Sequence, residues 1–187
     1  MNLLDLVLIA FALTSSAFAM ALVAHVQKCL TLYEKTRLAG LFTIMPAALL
    51  WFGYWIGYFI LSFMKWSNEW VFVILLFIIG MRMLLRSLKT SPDNLTYSYG
   101  KFRVVFALSI ALALPALMIG IGFAFTSIDI NIFLIPMLGF GLVLSLSGML
   151  IGKRTGKYSL GTKATFFGGA VLVGIALKHV IYLFELI

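Results

Sequence analysis

The side chains that could bind a solute are charged or hydroxylated residues set within long apolar runs. Arg82 and Arg86 lie one helical turn apart in FVILLFIIGMRMLLRS, and Lys178 lies in FFGGAVLVGIALKHVIYLF. A cation inside a bilayer costs at least about 2.5 kcal/mol, so each needs an anion, a polar cavity or a route to the headgroups. The two arginines are close enough to the end of their run to snorkel. Lys178 is deeper, and three outcomes fit it: snorkelling outward, pairing with Glu185, or facing a polar cavity. Hydroxyls cluster at Thr14, Ser15 and Ser16 and again at Ser145 and Ser147. They either bring helices together while bonding back to their own backbone, or coordinate a solute. Pro46 and Pro115 each fall inside an apolar run, where they would break the helix and free carbonyl groups for other partners. The candidate substrate-binding set is Thr14, Ser16, Arg82, Pro115, Ser145 and Lys178.

Other chemistry is excluded by what these positions lack. Cys29 is the single cysteine, so no intramolecular disulfide or CxxC exchange pair exists. His25 and His179 are the two histidines, and neither lies in an HxxH, HxxxH or HExxH spacing. Asp5, Glu69, Asp129 and Glu185 fall toward one side of the apolar runs and Glu34 and Asp93 toward the other, leaving no acid at mid-run. No nucleophile, base and metal can be assembled, so neither an enzyme nor a cofactor or stable metal site is expected.

The elements that must position these residues follow from composition. The chain has 187 residues, 63% hydrophobic and 11% charged, with a mean hydropathy of +1.12. Those values define an integral membrane protein, and continuous apolar runs without two-residue alternation select helices over a barrel. Six spans are placed near residues 3–25, 38–63, 69–88, 104–127, 130–151 and 164–186. Ala17-Phe18-Ala19 looks like a signal-peptidase site, but Asp5 replaces the basic n-region and the apolar run continues to Val26, so a span is read there. Of the 14 lysines and arginines, all but Lys65 and Lys178 fall in or beside the first, third and fifth connections. The positive-inside rule makes those connections cytoplasmic and places both termini outside. The net charge of +8 is accounted for by that topology and by lipid headgroups, so the bilayer is the expected partner and nucleic acid is not. Trp51, Trp55, Trp66 and Trp70 with Tyr54 and Tyr58 read as an interfacial belt and lipid-facing surface.

The longest connection, KTSPDNLTYSYGK, marks a linker over residues 89–103 between a first half, 1–88, and a second, 104–187. The halves carry related patterns. Aligning Ser16 with Pro115 superposes Ala12 on Ala111, Leu13 on Leu112 and Ala17 on Ala116, Gly53 and Gly57 answer Gly148 and Gly152, and Gly80 answers Gly174. Three spans per half is an odd number, so the halves cross in opposite directions. The expected fold is an all-α polytopic membrane protein, with six transmembrane helices as two inverted three-helix repeats and a substrate site between them at midplane.

The segments Leu6 to Ala21, Phe72 to Met83, LSIALALPALMIGIGFAF, LSLSGMLIG and FFGGAVLVGIAL resemble, in order and spacing, the small bacterial manganese efflux pumps, the MntP-type branch of the lysine exporter superfamily. The resemblance covers the whole chain and implies efflux by a secondary transporter of the bacterial inner membrane. In that family spans one and four each carry an aspartate in a motif close to S-x-D-A-x-A, and the matching positions here are Ser16 and Pro115. Acidic positions of spans two and three fall on Pro46 and Arg86. A hard divalent cation needs charged oxygen ligands to offset its lost hydration. An anionic or zwitterionic substrate held by Arg82 or Lys178 is therefore the expectation beside manganese. The alternative is a non-transporting accessory subunit that keeps the fold to bind a homodimer partner or another membrane protein.

Overall fold

In the computed structural model the described residues are 3–27, 32–63, 69–89, 102–126, 128–155 and 159–185. Lys28, Cys29, Lys65, Trp66, Lys157, residues 90–101 of the linker, and the side chains of Glu69, Lys89, Lys153, Arg154 and Glu185 lie outside them. The described chain forms α1 (Leu3–Gln27), α2 (Leu32–Phe63), α3 (Glu69–Lys89), α4 (Phe102–Ala124), α5 (Ile130–Thr155) and α6 (Ser159–Glu185). All six are long and apolar enough to cross a membrane.

Several helices extend beyond their apolar runs, for one physical reason. Hydropathy marks the thickness of the hydrocarbon layer, whereas helical hydrogen bonding continues into the headgroups, where charged side chains reach water. α2 therefore starts at Leu32, ahead of residue 38, and takes in Glu34, Lys35 and Arg37. Glu34 occupies the first turn, where the helix dipole favours an anion. α6 likewise starts at Ser159, before Lys163. α4 ends earlier than residue 127: the amides of Phe125 and Thr126 turn back to the carbonyls of Gly122 and Phe123, both at 3.1 Å, and close its last turn. The prolines do not break their helices. α2 runs through Pro46, α4 through Pro115 and α5 through Pro136. Each loses one i→i−4 bond and keeps the rest, which a packed bundle tolerates.

Small residues decide which helices touch. A Cβ on Gly53 would strike the Leu117 carbonyl of α4, and one on Gly57 would stand 2.6 Å from the Ile121 carbonyl. On α5, a Cβ on Gly148 would be 2.6 Å from the Phe18 carbonyl of α1, and one on Gly152 would be 2.8 Å from that of Leu22. The two sets correspond: the shift that carries Ser16 onto Pro115 also carries Phe18 onto Leu117 and Leu22 onto Ile121. Thus α2 packs parallel to α4, and α5 packs parallel to α1, through glycines against backbone. The remaining large contacts are antiparallel. Gly80 of α3 faces Gly169 and Val173 of α6, and Gly141 of α5 faces Thr43 of α2. α1 is the most enclosed helix, with Ile9, Ala10, Ala12, Ala21, Leu22 and Ala24 fully buried.

These contacts bring the starts of α1, α3 and α5 together with the finishes of α2, α4 and α6 at one end of the bundle, here called the termini end. There Phe72, Phe123 and Phe133 form an aromatic cluster, with ring centroids 5.2 Å apart for Phe72 and Phe123 and 4.7 Å for Phe123 and Phe133. All three are buried. Trp51, Trp55 and Tyr58 project from α2 with half or more of their surface exposed, as an apolar helix face in lipid requires.

Candidate solute-binding cavity

A concavity between helices lies in the half of the bundle away from the termini end. It is a cavity of about 100 Å³ among α1, α3, α4 and α6. Ser16, Met20, Arg82, Met83, Arg86 and Pro115 line it, with Ala111, Ser87, Thr162 and Thr165 at its polar margin. Ser16, Arg82 and Pro115, named from sequence, therefore converge. No carboxylate among the described residues lines the cavity.

The hydroxyl chemistry is fixed locally. Ser16 Oγ donates to the Leu13 carbonyl at 2.8 Å, Ser15 Oγ to Ala12 at 2.7 Å, and Thr14 Oγ1 to Ala10 at 2.8 Å. A hydroxyl whose hydrogen is given to its own helix offers a solute only its oxygen lone pairs. Pro115 adds an acceptor. It has no amide hydrogen, so the Ala111 carbonyl one turn earlier lacks its intrahelical partner on the same cavity wall. The cavity thus sets Arg82 and Arg86, both exposed and both also bordering an open hollow on α3, beside oxygen acceptors from α1 and α4.

Ser87 ties the rim together: its Oγ donates to the Thr162 carbonyl across α3 and α6 at 2.8 Å. Ser87→Ala is expected to lower stability by about 0.5–1.5 kcal/mol, the net worth of one such bond, read as a lower unfolding midpoint in detergent. An unchanged midpoint would mean that the α3–α6 glycine contact holds that end alone.

The other sequence-derived residues lie elsewhere. Thr14 lines a smaller pocket of about 10 Å³ with Ser16, Phe42, Thr43, Pro46 and Gly141. That pocket repeats the proline device, since Phe42 is the residue one turn before Pro46. Ser145 is fully buried on α5 and borders neither space. Lys178 stands near the termini end, where its Nζ donates to Asp5 Oδ1 at 2.7 Å. The Asp5 side chain is 3% exposed and that of Lys178 55%. Sequence reasoning set Asp5 aside as an outer-face acid and offered Lys178 a partner on its own helix. The missed signal was the sign of the charge: an intramembrane lysine calls for an acid, and antiparallel α1 supplied one.

Six membrane-crossing helices around an interior cavity that is mostly apolar but admits two arginines define a multi-pass membrane protein. The chain belongs to the family described as "Putative manganese efflux pump", which it matches over residues 29–180. It is 32% identical over 194 aligned residues to the "Putative manganese efflux pump MntP" of Serratia proteamaculans (strain 568), covering 98% of this chain and 100% of the relative. The protein of the same name from Yersinia pestis (strain Pestoides F) is 33% identical over 182 residues, covering 94% and 93%. No solved structure matches the chain. Membership in this efflux family, with six membrane-crossing helices, makes the chain a multi-pass transporter of the bacterial inner membrane.

Proposed function

We propose that the chain exports a small solute through the cavity among α1, α3, α4 and α6, and that the solute carries an anionic group. The observation that carries this reading is the lining: two arginines, Arg82 and Arg86, and no carboxylate among the described residues. A divalent cation there would meet hydroxyl and carbonyl oxygens but no charged ligand, while two like charges repel it. A small zwitterion suits both sets of groups. Its carboxylate would meet Arg82, and its ammonium the Ser16 oxygen and the Ala111 carbonyl. No enzymatic step is assigned to these residues.

The relatives' printed name gives manganese as the second cargo, and Ser16 and Ala111 are the oxygens that would serve it. Both readings share an orientation in which the termini end faces outward and the cavity faces the cytoplasm, drawn from the basic connections. They also share a division into inverted repeats, 1–88 and 104–187, joined by a cytoplasmic linker. Supporting the division is the correspondence of the α2–α4 glycine contact with the α5–α1 contact.

Purified protein in liposomes, assayed for flux of manganese, amino acids and organic anions, separates the cargoes. The expected outcome is transport of an anionic or zwitterionic solute, lost in Arg82→Gln. Manganese flux at micromolar concentration, abolished by Ser16→Leu and enhanced by Arg82→Gln, would replace this reading with the cation one.

A further inference from the structure

We propose that the Asp5–Lys178 ion pair is the latch holding the termini end of the transport pathway shut, and that α1 and α6 must part there for solute to leave. This rests on the transport reading above. Its grounds are an asymmetry between the two ends of the bundle.

At the termini end, bulky side chains and an ion pair bridge the described helices. Phe72, Phe123 and Phe133 interlock from α3, α4 and α5, and the Asp5–Lys178 pair bridges α1 and α6. Asp5 lies eight residues before Leu13, the first α1 residue on the cavity, so the pair stands about 12 Å along the axis from the cavity. The same positions at the opposite end carry different chemistry. The shift taking Ser16 to Pro115 takes Asp5 to Val104, and the shift taking Gly80 to Gly174 takes Leu84 to Lys178. The counterpart of the ion pair is therefore two apolar side chains, Leu84 and Val104, on α3 and α4. By the same shifts the counterpart of Phe123 is Ala24, and that of Phe72 is Phe166, which is 43% exposed. The end with the bulky cluster and the ion pair is closed. The end with alanine and leucine in those places holds the cavity, between α3 and α4.

An inverted pair of halves can exchange these arrangements, with α1–α6 opening as α3–α4 closes. The closing side gains only apolar contacts at these positions, but the opening side must separate a charge pair whose carboxylate is buried. Such a pair is held strongly while it is dry and released when water enters. That makes Asp5 and Lys178 positioning residues for the closed state, remote from the solute itself.

The full chain with Cys29→Ser, Asp5→Cys and Lys178→Cys, joined by a reversible bifunctional thiol reagent, tests the latch. Flux is expected to be lost on linking and restored by reductant. A second measurement needs no cargo: in a Cys29→Ser background, Ser16→Cys is labelled with a membrane-impermeant maleimide from each side. With the pair intact, labelling is expected from the cavity side only; adding Asp5→Asn should admit reagent from the termini side, and Asp5→Lys with Lys178→Asp should exclude it again. Equal flux in linked and unlinked protein, or termini-side labelling unchanged by Asp5→Asn, overturns the proposal. If no variant and no parent moves any solute, the transport reading fails, and the labelling still decides the latch.

Discussion

Lys178→Met is expected to destabilise the bundle by about 3 kcal/mol, the lower part of the range for stripping a partner from a buried charge. The reason is the unequal burial of the two groups. Asp5 is 3% exposed, so removal of the ammonium leaves its carboxylate without its 2.7 Å counter-ion in a place water does not reach. Lys178, with 55% of its side chain exposed, can swing toward the headgroups when Asp5 is changed. Asp5→Asn should therefore cost clearly less than Lys178→Met. The double variant Asp5→Leu with Lys178→Met should recover most of the loss, because an apolar pair of similar volume carries no desolvation cost. Thermal unfolding of the purified protein in detergent checks all three. Equal losses for the two single variants would mean that the pair is wet and contributes little.

Gly120→Ala is the second large effect. A Cβ at Gly120 would strike the Leu50 carbonyl and lie 3.0 Å from the Tyr54 amide, so it meets backbone that cannot rotate away. Overpacking of this kind costs about 1–3 kcal/mol, and here the cost falls on the contact of α2 with α4. Gly174→Ala is the control. Nothing stands within 4 Å of a Cβ there. The same substitution should instead stabilise by about 0.5–1 kcal/mol through helix propensity. Both are read as shifts of the unfolding midpoint, and a neutral Gly120→Ala would show that the two helices have room to separate.

Gly80 and Gly174 show how far the sequence pattern reaches and where it stops. Gly80 and Gly174 occupy corresponding places in the two halves, and the pattern alone treats them alike. In the bundle Gly80 presses on Gly169 and Val173 while Gly174 faces open space. The pairs Gly53/Gly57 and Gly148/Gly152, matched between the halves by pattern, each press on the backbone of a neighbouring helix. The hydroxyls of α1 bond back to their own helix, as short side chains in a helix do when no water competes. Ser16, Arg82 and Pro115 stand out in sequence only as three of six candidates, because proline, a deep hydroxyl and an intramembrane cation are each costly in lipid. Ser145 met the same criteria and lies outside both pockets, since a one-dimensional pattern gives depth but not the direction a side chain faces.

Composition, span length and the charge bias of the connections determined by themselves that this chain is six membrane-crossing helices, because hydrocarbon admits no other backbone and penalises each charge by its depth. The half-to-half correspondence was also written there, since repeated glycines repeat wherever two backbones approach. Only the tertiary structure decided which helices touch, that Asp5 meets Lys178 across antiparallel α1 and α6, and that the two arginines share a cavity with no acid among its described lining. Those outcomes depend on the rotation of each helix about its axis. Helices apolar on every side leave rotation undetermined until neighbours pack against them.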